Sequence, residues 1–415
     1  MCYRSDILLF YQRILLLIPK FIYVLIFTLI ILIFKLECIA VDTLYLVPFK
    51  MYDDISVIKV RINQSDSLNF IFDSGTTTTI LDSITARKIG LEPLDNNNLL
   101  LSNDYINVPV SRYCTLKAGD LVIKNKPIIL HSSFDNYERI TGIPIHGIIG
   151  MDFYGKYITK IDYDNQILYF NEKSIDSSGF SEVPIFISHD VAYVKANVFT
   201  SGENSVPLFL LFDTGDMTAI SLAEPFWRKH DLLSKSKNNY SGINRNTSGT
   251  SSASYFASFE KIEFEKSYFP NAYINLTSAK KGFFANDSVS GTIGIDILKR
   301  FNIIFNYKDE KLYVKPNNKY HDPYRINTTG LRARLDNDKK HCIIDAVLRN
   351  SPAENANIQI GDELISINGV QASVENIPII RSLTRSRPGT LLEFVLVRNG
   401  SVLKVSMTCK EFSDN

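Results

Sequence analysis

The chain has 415 residues, room for two or three ordinary domains, and its 45 basic against 44 acidic residues leave a formal charge of +1. So even a balance gives no long-range field that would draw nucleic acid or an acidic surface. An aromatic share of 12%, with Ile, Val, Thr and Tyr in short runs, favours strands over long helices, so a mainly β body is expected.

The N-terminus sets Arg4, Arg13 and Lys20 before an uninterrupted apolar run at residues 21–34, then Cys38-Ile39-Ala40, whose ends are small. That order predicts an export signal over residues 1–40. An uncleaved signal anchor is the alternative, since residues 14–18 extend the apolar stretch and the basic residues before it would stay cytoplasmic. Either way the working domains are expected to be exported: periplasmic, extracellular or membrane-anchored facing outside the cytoplasm. Cys2 and Cys38 belong to this segment, and Cys114, Cys342 and Cys409 are too few and odd in number for a disulfide framework. A single Cys342–Cys409 bridge stays open.

The body contains an internal repeat. Phe70-Ile71-Phe72-Asp73-Ser74-Gly75 returns as Leu210-Leu211-Phe212-Asp213-Thr214-Gly215, and Gly147-Ile148-Ile149-Gly150 returns as Gly291-Thr292-Ile293-Gly294. Each second motif leads into two alternating apolar segments joined by a polar turn, at 163–165 in one half and 308–310 in the other. One lobe is therefore expected twice, over 41–178 and 179–316, each ending in a hairpin. The polar stretches 174–179 and 316–323 have the composition of connections. Residues 234–254, rich in Ser, Asn, Gly and Thr, are expected to form an exposed loop bordering the cleft.

Peptide hydrolysis without a metal or covalent intermediate needs a base for water and an acid for the amide, roles that two carboxyls sharing a proton can fill. The apolar triplets before Asp73 and Asp213 read as buried strands delivering each acid to a sharp turn, where Gly75 and Gly215 allow close approach of the other lobe. A lone Asp-Ser-Gly is an ordinary turn. Two copies, each after an apolar strand and each followed by apolar-apolar-Gly, are far more specific.

On these motifs residues 42–316 resemble aspartic peptidases of the retropepsin and pepsin type. The resemblance implies a two-lobed acid-protease fold with Asp73 and Asp213 as the catalytic dyad. It implies Ser74 and Thr214 as cross-lobe hydroxyls, and Ile149-Gly150 and Ile293-Gly294 as bracing segments. Thr76 fits the family pattern after the glycine; Asp216 departs from it, and would either raise the dyad's apparent pKa or merely cap its loop. Residues 105–110 and 112–118 are strand-like and correctly placed for a substrate-covering hairpin, although no flap residue is assigned.

Residues 72–77 also resemble the first phosphate loop of the actin and sugar-kinase superfamily. Export, strand-rich lobes and the lack of a long helical pattern after either loop weigh against it. The six histidines are scattered, with no His-Glu-x-x-His and no cysteine pair at ligand spacing, so neither metal nor cofactor is expected. A nucleophilic serine context is missing too.

In the C-terminal part, Ser351-Pro352-Ala353, Gly361-Asp362-Glu363-Leu364-Ile365 and Asn368-Gly369 read as a short helix, a strand and a hairpin turn. After a linker at 317–325, residues 326–412 look like a PDZ domain, which implies peptide binding by strand addition. Its carboxylate-binding loop would fall at Thr329-Gly330-Leu331-Arg332, facing a groove helix near 374–384. The expectation is an aspartic endopeptidase acting on polypeptides, with the PDZ domain docking peptide or protein C-termini and no nucleic acid as partner. The alternative is an inactive peptidase-like protein working as a PDZ-based peptide binder.

Overall fold

The run Leu68–Phe72 is buried at every position, which suits a strand covered on both faces rather than one with a wet side. In the computed structural model it lies parallel to Gly147–Ile149, with Phe70 opposite Gly147 and Phe72 opposite Ile149. The second half repeats this: Leu210 faces Gly291 and Phe212 faces Ile293, again in parallel. Ile80–Asp82 then pairs antiparallel with Gly147–Ile149, as Ile220–Leu222 does with Gly291–Ile293. Asp73 and Asp213 thus leave equivalent strands at equivalent points.

The structure describes residues 43–412 except 101–104, 132–133, 202–203, 246–250 and 325, with backbone alone at 95–100, 105–107, 243–245 and 251. The export segment expected at 1–40 lies outside the described residues. Among those described, no helix is long and apolar enough to cross a membrane. From Leu44 onward the chain forms one unit, mainly of strands.

The two halves are joined by their terminal hairpins. Ile158–Asp162 pairs with Ile167–Asn171, and Phe301–Asn306 with Lys311–Pro316. Thr159, Lys160 and Ile161 then pair with Phe305, Ile304 and Ile303 across the seam. Tyr45–Pro48 continues this sheet on the first half's side, and Ser181–Pro184 on the second's. One apolar core runs through both halves, from Phe72 and Phe153 to Phe212 and Phe305.

Residues 234–254 correct an expectation. Asn238–Arg245 pairs antiparallel with Ser251–Ser258, forming a hairpin rather than a bare loop. Backbone pairing satisfies the amides whatever the side-chain polarity, and Tyr240 stacks on Phe256 with ring centroids 5.3 Å apart. The matching hairpin of the first half joins Pro93–Leu100 to Tyr105–Ser111.

The C-terminal unit has its own core around Leu331, Ile344, Ile367, Leu392 and Phe394. Its six-stranded sheet runs Leu331–Leu335, Cys342–Val347, Glu363–Ile367, Leu391–Arg398, Ser401–Thr408, with Val370–Gln371 beside the third of these. Leu331–Leu335 is therefore an edge strand, and the helix Ile377–Leu383 lies in this unit beside it. Ser351 caps the short helix Pro352–Asn355 by accepting from the Glu354 amide at 3.2 Å. Cys114, Cys342 and Cys409 are buried and free, so the Cys342–Cys409 bridge left open by the sequence is not formed. With burial raising both of those thiols, Cys342 and Cys409 behave as small apolar groups.

This unit is fastened to the first half through a hairpin tip. Asp53 and Asp54 join Tyr45–Tyr52 to Ile55–Ile62. The Asp53 carboxylate accepts from Arg381 Nε at 2.7 Å and Arg385 at 3.1 Å, and Lys299 Nζ reaches Asp54 at 2.7 Å. Burial alone would raise the Asp53 pKa, but Arg385 and Arg381 outweigh it and hold it below the ordinary value. The Arg381→Ala variant is expected to lose about 3–5 kcal/mol in chemical denaturation, because the Asp53 side chain, 4% exposed, would lose its closest partner.

Candidate active site

Each catalytic-type turn is held by its own glycine amide: Gly75 N donates to Asp73 Oδ1 at 2.8 Å, and Gly215 N to Asp213 Oδ1 at 2.8 Å. The Asp73 amide bonds Ile149 O at 3.1 Å and the Asp213 amide bonds Ile293 O at 3.0 Å, so the bracing strands fix where each acid emerges. Gly150 and Gly294 press on the backbone of Thr78 and Thr218, where a side chain would strike main-chain atoms within 2.7 Å and 2.3 Å.

The two turns meet face to face. Ser74 N donates to Thr214 Oγ1 at 3.0 Å and Thr214 N to Ser74 Oγ at 3.0 Å. The same hydroxyls donate onward to Phe212 O at 2.9 Å and Phe72 O at 3.2 Å. A methyl on Gly75 would lie 2.5 Å from the Asp213 carboxyl carbon, and one on Gly215 the same distance from that of Asp73. Only glycine at both positions lets the acids approach, and the two carboxyl groups hydrogen-bond to each other.

Burial is the chief cause that raises both acids above the usual carboxylate range, Asp213 well above it. For Asp213 the charges of Asp73 and Asp216 add to the push; for Asp73, Asp216 raises and the Gly75 amide opposes. Two like charges this close and this dry cannot both persist, so the pair retains a proton toward neutral pH. Asp216 both caps and faces inward: it accepts from Thr218 N at 2.9 Å and from the Thr292 hydroxyl, and lines the cavity with the dyad. Thr76, its counterpart, lines the same cavity and its carbonyl accepts from Met151 N at 2.9 Å.

The cavity, about 630 Å³, extends from Asp73 and Asp213 to the C-terminal unit. Tyr137, on the helix Asp135–Thr141, lines it and was not singled out by the sequence. Burial and then the charges of Asp73, Asp213 and Asp216 raise its phenol, so Tyr137 stays protonated beside the acids. Neither motif nor repeat marks it; only the fold brings it there. Tyr240, Gly242 and Phe256 of the second hairpin also line the cavity, consistent with a segment bordering the cleft.

In the C-terminal unit the Gly330 amide donates to Asn327 Oδ1 at 2.9 Å and the Leu331 amide to Thr329 Oγ1 at 3.4 Å. The Arg332 guanidinium forks onto Asp345 at 2.8 and 3.1 Å. The loop groups expected to face a peptide terminus are therefore engaged within the unit itself. Among the described residues, no group of His, Cys, Asp or Glu is arranged to hold a metal ion.

Two lobes repeating one topology, with an aspartate from each at their seam, define the aspartyl protease class. In agreement, the family described as "Aspartyl protease" matches residues 58–153, and the "PDZ domain" family matches 325–382. The chain carries an aspartyl protease-like domain and a PDZ domain. The family match covers the first half; the second copy is carried by the strand pairings. A curated relative, "Probable 26S proteasome regulatory subunit p27" of Saccharomyces cerevisiae, is 28% identical over 123 residues, 27% of this chain and 49% of the relative. The chain thus spans about half the length of that protein.

Thr214→Val keeps the shape but removes the acceptor for Ser74 N and the donor to Phe72 O. A loss of about 1–3 kcal/mol in denaturant unfolding is expected, since two buried groups are left unpaired.

Proposed function

We infer that the protein is an aspartic endopeptidase that hydrolyses peptide bonds by a water molecule activated between Asp73 and Asp213. The hydrogen-bonded, buried carboxyl pair carries this reading. In its singly protonated state, one carboxylate takes a proton from water while the hydroxyl oxygen adds to the peptide carbonyl carbon. The other carboxyl donates its proton to the carbonyl oxygen. As one hydroxyl of the tetrahedral intermediate returns its proton to the carboxylate that had given one up, the carbonyl re-forms and the C–N bond breaks; the nitrogen leaves with the proton taken from water, and the dyad again holds one. Ser74, Thr214 and the bracing segments keep the pair in place, and Asp216 tunes its proton affinity.

The peptidase lobes are assigned to 41–178 and 179–316, the linker to 317–325 and the PDZ domain to 326–412. An N-terminal signal or anchor at 1–40 places the enzyme outside the cytoplasm. Polypeptides are the substrate, and the PDZ domain serves substrate or partner docking. The rival reading, a silent peptidase serving as a peptide binder, draws on the relative's name as a regulatory subunit of the proteasome. The presence of both carboxyls favours catalysis.

Wild type, Asp73→Asn and Asp213→Asn are to be compared on a mixed peptide library, with and without a hydroxyl-bearing transition-state inhibitor. Both variants should lose about 100-fold or more in rate; equal cleavage by all three would end the peptidase reading. In a pH–rate series, Asp216→Asn removes a negative charge that raises both acids. The shared proton is then lost at lower pH, so the alkaline limb of kcat/KM should move toward acid. An unmoved limb would take Asp216 out of the dyad's electrostatics.

A further inference from the structure

We propose that the groove between Leu331–Leu335 and Ile377–Leu383 is the outer half of the peptidase's own substrate channel, taking side chains of an oligopeptide whose scissile bond lies at the dyad. It is not a separate port for free carboxyl termini. This rests on the peptidase reading and names its substrate class.

The first support is continuity. One cavity has Asp73 and Asp213 in its lining together with Leu331, Ala333, Ile380 and Thr384 of the groove. At about 630 Å³ it lies within the range of roughly 300–1,000 Å³ that holds a compact ligand, so its occupant is a short stretch of chain.

The second support is that the means of gripping a free terminus are already committed. A peptide added to the edge strand is held by main-chain bonds along that strand and by amides at its starting loop. Here the Gly330 and Leu331 amides bond Asn327 and Thr329, at 2.9 and 3.4 Å. At the strand's other end, Arg139 Nε from the first lobe donates to Leu335 O at 2.6 Å. The helix Asp135–Thr141 that carries Arg139 packs against both the strand and the groove helix. Lys339 bonds Glu138 of the same helix. A long partner chain is thereby stopped at Leu335, while Tyr137 and Ile140 of that helix line the route to the dyad.

The third support is rigidity. Arg381 and Arg385 on the groove's helix side are bound to Asp53 at the lobe-one hairpin tip, at 2.7 and 3.1 Å. The far wall of the channel is thus fixed to the catalytic body, as a specificity pocket requires.

The test uses the full chain and oligopeptides of graded length, each with a free and an amidated C-terminus. Ala333→Leu and Ala333→Trp fill the groove in two steps, with melting temperatures to establish that each variant folds. Both should change the residue preference on one side of the cleaved bond and raise KM about tenfold for the longer peptides, with the shortest little affected. Amidation should leave cleavage by the wild type, and fluorescence-anisotropy binding to the Asp73→Asn chain, unchanged. Arg139→Ala, which uncovers Leu335 O, should admit longer peptides. Cleavage that needs Asp73 yet ignores both Ala333 variants overturns the proposal, as does binding that requires a free carboxylate. Failure of the peptidase reading looks different: wild type and Asp73→Asn would then give equal product.

Discussion

The reciprocal hydrogen bonds between Ser74 and Thr214 are the constraint on which the site depends. Burying two carboxyls side by side is unfavourable, and nothing in the acids themselves would keep them there. Each hydroxyl ties its own loop to the main chain of the other lobe, so parting the acids would leave buried amides and carbonyls unpaired. The raised proton affinity of the pair follows from this enforced approach. The seam sheet beneath, Ile158–Asp162 against Phe301–Asn306, supplies the long-range register that brings the two loops to one place.

A network of charges fastens the PDZ domain to the first half. Asp53, Asp54, Lys299, Arg381 and Arg385 form one network across three parts of the chain. Such a network is costly to desolvate and adds little net stability over an apolar contact, but it fixes orientation strictly. Tyr240 against Phe412, with ring centroids 5.1 Å apart, gives the same unit a second hold on the opposite lobe. The cavity therefore has walls from both lobes and from the PDZ domain, and its shape depends on all of them.

Where sequence reasoning went astray, the cause was local. Residues 234–254 are polar enough to pass for a loop, yet they pair as a hairpin because the equivalent hairpin of the first half occupies the same place in the repeat. The repeat could have predicted this; composition could not. Tyr137 carries no motif, and its relation to the acids exists only because the helix Asp135–Thr141 is folded over the cleft. Of the expected carboxylate-binding loop, Gly330 precedes the edge strand while Leu331 and Arg332 belong to it, and the Gly330 and Leu331 amides are engaged by Asn327, just before that motif, and Thr329, within it.

The sequence by itself determined the repeated half, the two acids, their glycines and hydroxyls, and the C-terminal domain. These are set by local rules: buried apolar strands, glycine where backbones must approach, and turn residues at fixed offsets. Tertiary structure alone decided that Asp216 faces the two acids while capping its loop, that Tyr137 joins them, and that the PDZ groove opens into the cavity lined by Asp73 and Asp213. Those relations join residues far apart in the chain, and no periodicity along it encodes how close folding will bring them.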